Sequence, residues 1–201
     1  MRRFLVLIVL LPLTGCIGSY VPPDLNNACS ILKEKRGWYG DVLRTEKKWG
    51  VPIPVSMAFI RQESSFRKRA KQPRKKILRI IPWKRVSSAS GYSQAVNKTW
   101  EQYLKETGKS GLMTRRSDFK DAVDFIGWYN NKSVRTLGIK KNDAYNLYLA
   151  YHEGWTGYRK GTYKKKEWLI KTARKVEKNK KSYAAQLARC HNLRTKWLGI
   201  F

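Results

Sequence analysis

The chain has 201 residues, 42% of them hydrophobic, which is enough for one domain with its own core and excludes a disordered polypeptide. It carries 43 Lys and Arg against 14 Asp and Glu, a formal charge of +29. Such an excess implies a polyanionic partner: a nucleic acid, an anionic membrane face or an acidic wall polymer.

The N-terminus gives that partner an address. Arg2 and Arg3 precede an apolar run, Phe4 to Leu13, that is too short to span a bilayer as a mature helix. The run ends in Leu13-Thr14-Gly15-Cys16, which resembles the lipobox of bacterial lipoproteins. The resemblance implies cleavage after Gly15 and a diacylated Cys16. The alternative is an ordinary export signal that contains a cysteine. Ile17, not Asp, follows the cysteine, which in lipoproteins of this kind points to the outer membrane. The expected organisation is a signal peptide at 1–15, a lipidated tether at 16–27 and a domain at 28–201. A tether of this length reaches at most roughly 35–40 Å. An exported protein rarely meets nucleic acid, so none is expected as partner despite the charge.

Cys29 and Cys190 remain, one near each end of the domain. In an oxidising compartment two leftover thiols usually pair, and a disulfide is expected, with two buried free thiols as the alternative. His152 and His191 add no ligand cluster, so neither a metal nor another cofactor is expected.

From Ala28 onward the periodicity is helical. Trp38 to Trp49 reads as a helix stopped by Gly50, and Pro54 suits the first turn of the next, which runs through Val55 to Ser64. Ile53, Met57 and Ile60 form one apolar stripe on it. Residues 67–90 are rich in basic side chains, and Pro73 and Pro82 forbid a continuous helix, so a long loop or a short hairpin is expected. Helix is expected to resume near Tyr92 and to stop at Gly108. A longer helix is expected from Ser117 to about Leu137, with Asp118 and Asp121 at its positive end. Asn142 or Asp143 can cap the next, which carries Leu147, Tyr148 and Tyr151 on one stripe. Gly154 to Gly161 reads as an aromatic-rich loop, and Lys166 to Trp197 as mostly helix.

One more turn of the Ile53 stripe reaches Glu63 and Ser64. A carboxyl group on an apolar face at a helix end is desolvated, which raises its pKa. A carboxylic acid still protonated near neutrality is what glycosidic cleavage needs, because the leaving oxygen must be protonated. The competing reading is a surface glutamate at a frayed helix end.

Three segments add a resemblance. Gln62-Glu63-Ser64-Ser65-Phe66 resembles the first motif of lytic transglycosylases of the soluble-lytic and goose-type lysozyme superfamily, where Glu-Ser closes a helix and Glu is the acid. Gly91-Tyr92-Ser93-Gln94-Ala95-Val96 is similar to their Gly-Leu-Met-Gln motif, and Ala150-Tyr151-His152-Glu153-Gly154 to their Ala-Tyr-Asn-Ala-Gly motif. The order is the family's and the resemblance covers about residues 38–165. The departures are the long basic insertion between the first two motifs, Tyr92-Ser93 for Leu-Met, and His152-Glu153 for Asn-Ala.

The resemblance implies an all-α lysozyme-like domain, with room for a small β element in 67–90, acting as a monomer on peptidoglycan glycan strands in the periplasm. It implies that Glu63 protonates the leaving oxygen and that the sugar's C6 hydroxyl attacks, leaving a 1,6-anhydromuramyl end. A lysozyme-type hydrolase and a non-catalytic wall-binding lipoprotein are the alternatives. Ser64, Tyr92, Gln94, Tyr151, Glu153 and Trp155 are the expected substrate-side residues. Glu153 stands either as a second carboxylate or as a positioning group, and His152 as a local hydrogen-bond partner. Trp155, Tyr158 and Tyr163 either stack on sugar faces or pack the loop. Lys75, Lys76, Arg79, Lys84 and Arg85 lie between two motifs and are expected to border the groove and draw in anionic envelope polymers.

Overall fold

The computed structural model describes residues 20–35, 37–71, 87–190 and 193, and the backbone of 74–77 and 81–85. The signal segment and Cys16 lie outside the described residues, as do Arg79, His191 and Trp197, and the side chains of Lys75, Lys76, Lys84 and Arg85.

Seven α-helices carry the described part of the domain. The first, α1 (Ala28–Glu34), is capped by Asn27, whose side chain accepts from the Ser30 amide at 3.0 Å. Helix α2 (Trp38–Trp49) ends where Gly50, at φ 69°, returns its amide to the Glu46 carbonyl. The Glu46 carboxylate then accepts from the Ile53 amide at 3.0 Å, so one helix caps the start of the next, α3 (Ile53–Ser64). Pro54 sits in the first turn of α3, where its missing N–H costs nothing.

Helix α3 is the centre of the molecule. Every residue from Val55 to Ile60 is buried, so the expected single stripe has become a helix covered on nearly all sides by α2, α5 and α7. The basic insertion forms an antiparallel ribbon, β1 (Arg74–Ile77) and β2 (Ile81–Arg85), with Ile77 opposite Ile81 and Arg74 opposite Arg85.

Helix α4 spans Asn97–Thr107 and stops at Gly108. Its start corrects the expectation of helix from Tyr92: residues 91–95 form a turn instead, because Gly91, Tyr92 and Gln94 bond to segments distant in sequence. Helix α5 (Phe119–Leu137) is capped by the Asp118 side chain, and α6 (Ala144–Arg159) by that of Asp143. The expected 154–161 loop is also corrected. The helix continues to Arg159 across a break at Gly154 (φ 73°, ψ 164°), since Trp155 and Tyr158 pack against the core. A 3-10 turn (Thr162–Lys165) leads to α7 (Glu167–Leu187), which packs on α3 and α6.

Two interior features hold these helices in register. Trp38 lies flat on Phe119 with ring centroids 4.0 Å apart, and Phe66 and Tyr92 complete the cluster. Buried Asp124 accepts from the Trp49 indole at 2.7 Å and the Tyr103 hydroxyl at 2.6 Å, and Lys109 stands 2.9 Å away. Burial works against this carboxylate, but those donors hold its pKa below the ordinary value. Cys29 and Cys190 are joined as a disulfide, Cα atoms 6.0 Å apart, tying α1 to the chain beyond α7.

Candidate active site

Glu63 occupies the last turn of α3, and the chain leaves that turn in an unusual way. Ser65 (φ 51°) and Phe66 (φ 58°) both adopt left-handed backbone, and Gln94 (φ 51°) does the same in the second motif. They are the three non-glycine residues with positive φ among those described. Such conformations cost energy and persist where surrounding contacts over-determine them. Here Phe66 is fully buried against Trp38, and the Gln94 amide donates to the Ala70 carbonyl at 3.0 Å and the Gly91 carbonyl at 2.8 Å. The chain after α3 is thereby fastened to the 91–94 turn. Gly91 has no substitute there: at φ 74°, a Cβ would lie 2.1 Å from the Arg116 carbonyl oxygen.

Helix α6 supplies the opposite wall. Tyr148 and Tyr151 are three residues apart, hence on one face. Each ring meets Phe59 of α3 edge-on, at 5.4 and 5.3 Å. The Tyr151 hydroxyl donates to the Ser93 carbonyl at 2.6 Å, which joins the third motif to the second. The Tyr148 hydroxyl hydrogen-bonds to the Glu63 carboxyl.

In a chain of charge +29 a carboxyl group should ionise easily. Burial does the reverse at Glu63 and lifts its pKa from 4.5 to about 7, against the hydrogen bond from Tyr148, which lowers it. Burial also raises the pKa of Tyr148 and Tyr151, and Glu63 adds to both, so these phenols stay neutral donors.

Glu153 has the opposite environment. Burial again works against its charge, but hydrogen bonds from Lys166, Thr162 and His152 hold its pKa at about 2. Its side chain is only 3% exposed, with the Lys166 ammonium 2.8 Å from one oxygen. Glu153 is therefore a fixed anion. His152 stands edge-on to the half-exposed Trp168, centroids 4.9 Å apart.

The structure brings Glu63, Tyr151 and the 93–94 turn together and gives other employment to the rest of the expected set. The Ser64 hydroxyl is buried and donates to the Ile60 carbonyl at 3.0 Å, within the helix end. Tyr92 is a core residue against Trp38 and Phe119. Trp155 stacks on Tyr129 at 4.8 Å and donates its indole N–H to the Ser133 hydroxyl at 2.9 Å. Tyr158 and Tyr163 stack on each other at 5.3 Å, which is packing within the domain. Tyr148 has no place in the three motifs. Its position on the Tyr151 face of α6 was the available signal.

A helical domain whose central helix ends in a carboxyl group with its pKa raised by burial to about 7, walled by tyrosines, is lysozyme-like. The chain matches the family described as the transglycosylase SLT domain over residues 4–190, nearly its whole length, and belongs to that family. No curated protein matches it. Membership supports lytic transglycosylase-type activity on peptidoglycan in the cell wall.

Proposed function

We propose that the protein cleaves the β-1,4 bond between N-acetylmuramic acid and N-acetylglucosamine with Glu63 alone as acid and base, forming 1,6-anhydromuramyl ends. The observation that carries this is the contrast between the two motif carboxyls: Glu63 is half protonated near pH 7, while Glu153 is locked as an ion on Lys166. Glu63 gives its proton to the glycosidic oxygen as the C1–O4 bond breaks and the N-acetylglucosamine leaves with a free 4-hydroxyl. The Glu63 carboxylate then takes the proton of the C6 hydroxyl, whose oxygen bonds to C1. Glu63 is restored and no water is consumed. A two-carboxylate glycosidase needs a second group that is free to attack or to activate water, and an ion-paired, covered Glu153 is poorly suited to either. Digestion of purified sacculi, with the released muropeptides weighed, tests the reading. Anhydro ends, one water lighter than hydrolytic products, are expected; a product set of reducing muramic ends overturns it.

Because the acid must be protonated, kcat should fall as pH rises through about 7. Tyr148→Phe removes the hydrogen bond that lowers the Glu63 pKa. The basic limb of the kcat–pH profile should then move to higher pH, with only a few-fold change at the optimum, about the worth of one hydrogen bond. A limb that stays in place separates Tyr148 from the acid.

The same proposal places the protein on a membrane through a lipid at Cys16, with the outer membrane favoured by Ile17. Among the described residues no helix is long and apolar enough to cross a membrane. Cys16→Ser should shift the protein from the membrane to the soluble fraction or leave the precursor uncut. Unchanged anchoring of the Ser variant contradicts the lipid.

A further inference from the structure

A cleft of about 460 Å³ opens beside the turn that follows Glu63. Its walls come from residues 68–71, 90–91, 114, 116 and 117, with Trp100 at the side. Four of its ten lining residues are basic, Lys68, Arg69, Lys71 and Arg116, and none is acidic. The ion pairs among the described residues lie elsewhere, on Asp41, Glu106, Asp121, Asp124, Glu153 and Glu177.

Arg116 is fixed without being neutralised. Its guanidinium donates to the carbonyls of Ser88 at 3.1 Å and Ala95 at 3.2 Å and to the Asn97 side chain at 2.8 Å, all uncharged, and it lies over the Trp100 ring. Burial pulls its pKa down, with Glu101 the acidic group that opposes this. Lys68, Arg69 and Lys71 are exposed around the same opening. Four cations gathered in a concave site repel one another and focus a positive potential there, which is the arrangement that recruits an anionic ligand.

The floor of the cleft says which anion is within reach. The Ala70 carbonyl accepts the Gln94 side-chain amide at 3.0 Å and the Gly91 amide at 2.9 Å. The cleft thus sits on the seam between the chain leaving the Glu63 helix and the turn that holds Tyr151. A glycan placed at Glu63 carries its muramyl peptide stem beside the bond being cut, and stems bear free carboxylates.

We propose that this cleft is a subsite for the carboxylates of the muramyl peptide stem, so that the protein reads the stem as well as the glycan. This rests on the glycan-cleaving assignment of Glu63, and the test separates the two. In the first arm the mature domain carrying Glu63→Gln is titrated with a free stem tetrapeptide and with its fully amidated analogue. The acid form should bind and the amidated form should not. Lys68→Gln, Arg69→Gln and Lys71→Gln together should weaken binding about tenfold, three surface charge contacts at their ordinary worth. An equal loss of charge on the exposed face of α7, through Arg174→Gln, Lys175→Gln and Lys178→Gln, should leave it unchanged. In the second arm kcat/KM is measured on stem-bearing glycan and on glycan stripped of stems by an amidase. The cleft variant should lose activity on the first substrate only. Equal binding of the two peptides, equal losses from the two triple variants, or an equal loss on stripped glycan would each overturn the subsite. Absence of cleavage on either glycan strikes the assignment of Glu63 instead, and the binding arm still decides the cleft.

Discussion

Glu63→Gln should yield a folded protein whose glycan cleavage is lowered by about 10²–10⁴-fold or more, the range that general acid catalysis supplies. The amide keeps the shape of the carboxyl group and an oxygen for Tyr148, but it has no proton to give. The same substitution has a signature in stability that does not depend on substrate. Below pH 4.5 Glu63 is neutral in both folded and unfolded chains, so it contributes no penalty. Between 4.5 and about 7 the unfolded chain releases the proton while the folded one retains it, and stability is lost as pH rises. Above that window the loss is complete, at about 3 kcal/mol from 1.36 kcal/mol per pH unit. Gln has no such ionisation. The variant should match the wild type near pH 4 and exceed it in stability near pH 8. Denaturant curves at the two pH values check this, and curves with the same offset at both would show that Glu63 is not held protonated. Retained sacculus digestion by the Gln variant would remove Glu63 from the chemistry.

Why Glu63 was visible in the sequence and much of its surroundings was not follows from the range of the interactions involved. The helix from Ile53 to Ser64, the stop at Gly50 and the cap at Asp143 are local, set within a turn or two of helix, and each appears in the structure where the pattern puts it, while Asp118, expected as a charge at the positive end of its helix, caps it through its side chain. The 91–95 turn is not local. Apolar spacing permits helix there, but bonds from Tyr92 to Arg116 and from Gln94 to Ala70 override it. The employment of Gln94 and Trp155 depends on partners 24 and 22 residues away, so a motif gives their identity without their contacts. Glu153 shows the same limit. Its position in a motif made it a candidate second carboxylate, and Lys166, on another element, makes it a fixed anion. Gly154 to Gly161 reads as loop because glycine is a poor helix former, about 1 kcal/mol worse than alanine, and packing of Trp155 and Tyr158 outweighs that.

Replacing both Cys29 and Cys190 by serine should cost about 2–4 kcal/mol, and lower the melting temperature by roughly 5–15 °C for a domain of this size. The bond joins residues 161 apart in sequence, so it closes nearly the whole domain into one loop and removes much of the freedom of the unfolded chain. The folded side has independent support. The Ala28 amide donates to the Gln186 side chain at 2.7 Å, that side chain donates back to the Asn26 carbonyl at 2.8 Å, and the Tyr183 hydroxyl donates to the Leu25 carbonyl. The N-terminal segment should therefore stay docked on α7 without the bond. The loss should act mainly through the unfolded state, which becomes more expanded, so the denaturant slope should rise as the midpoint falls. Activity at 25 °C should persist, because the partners of Glu63 are on α6, apart from both cysteines. A double variant that melts within about 1 °C of non-reduced wild type would mean that the bond adds nothing. One that loses activity at temperatures where it is still folded would instead tie the bond to the shape of the site, through the packing of α7 on α3.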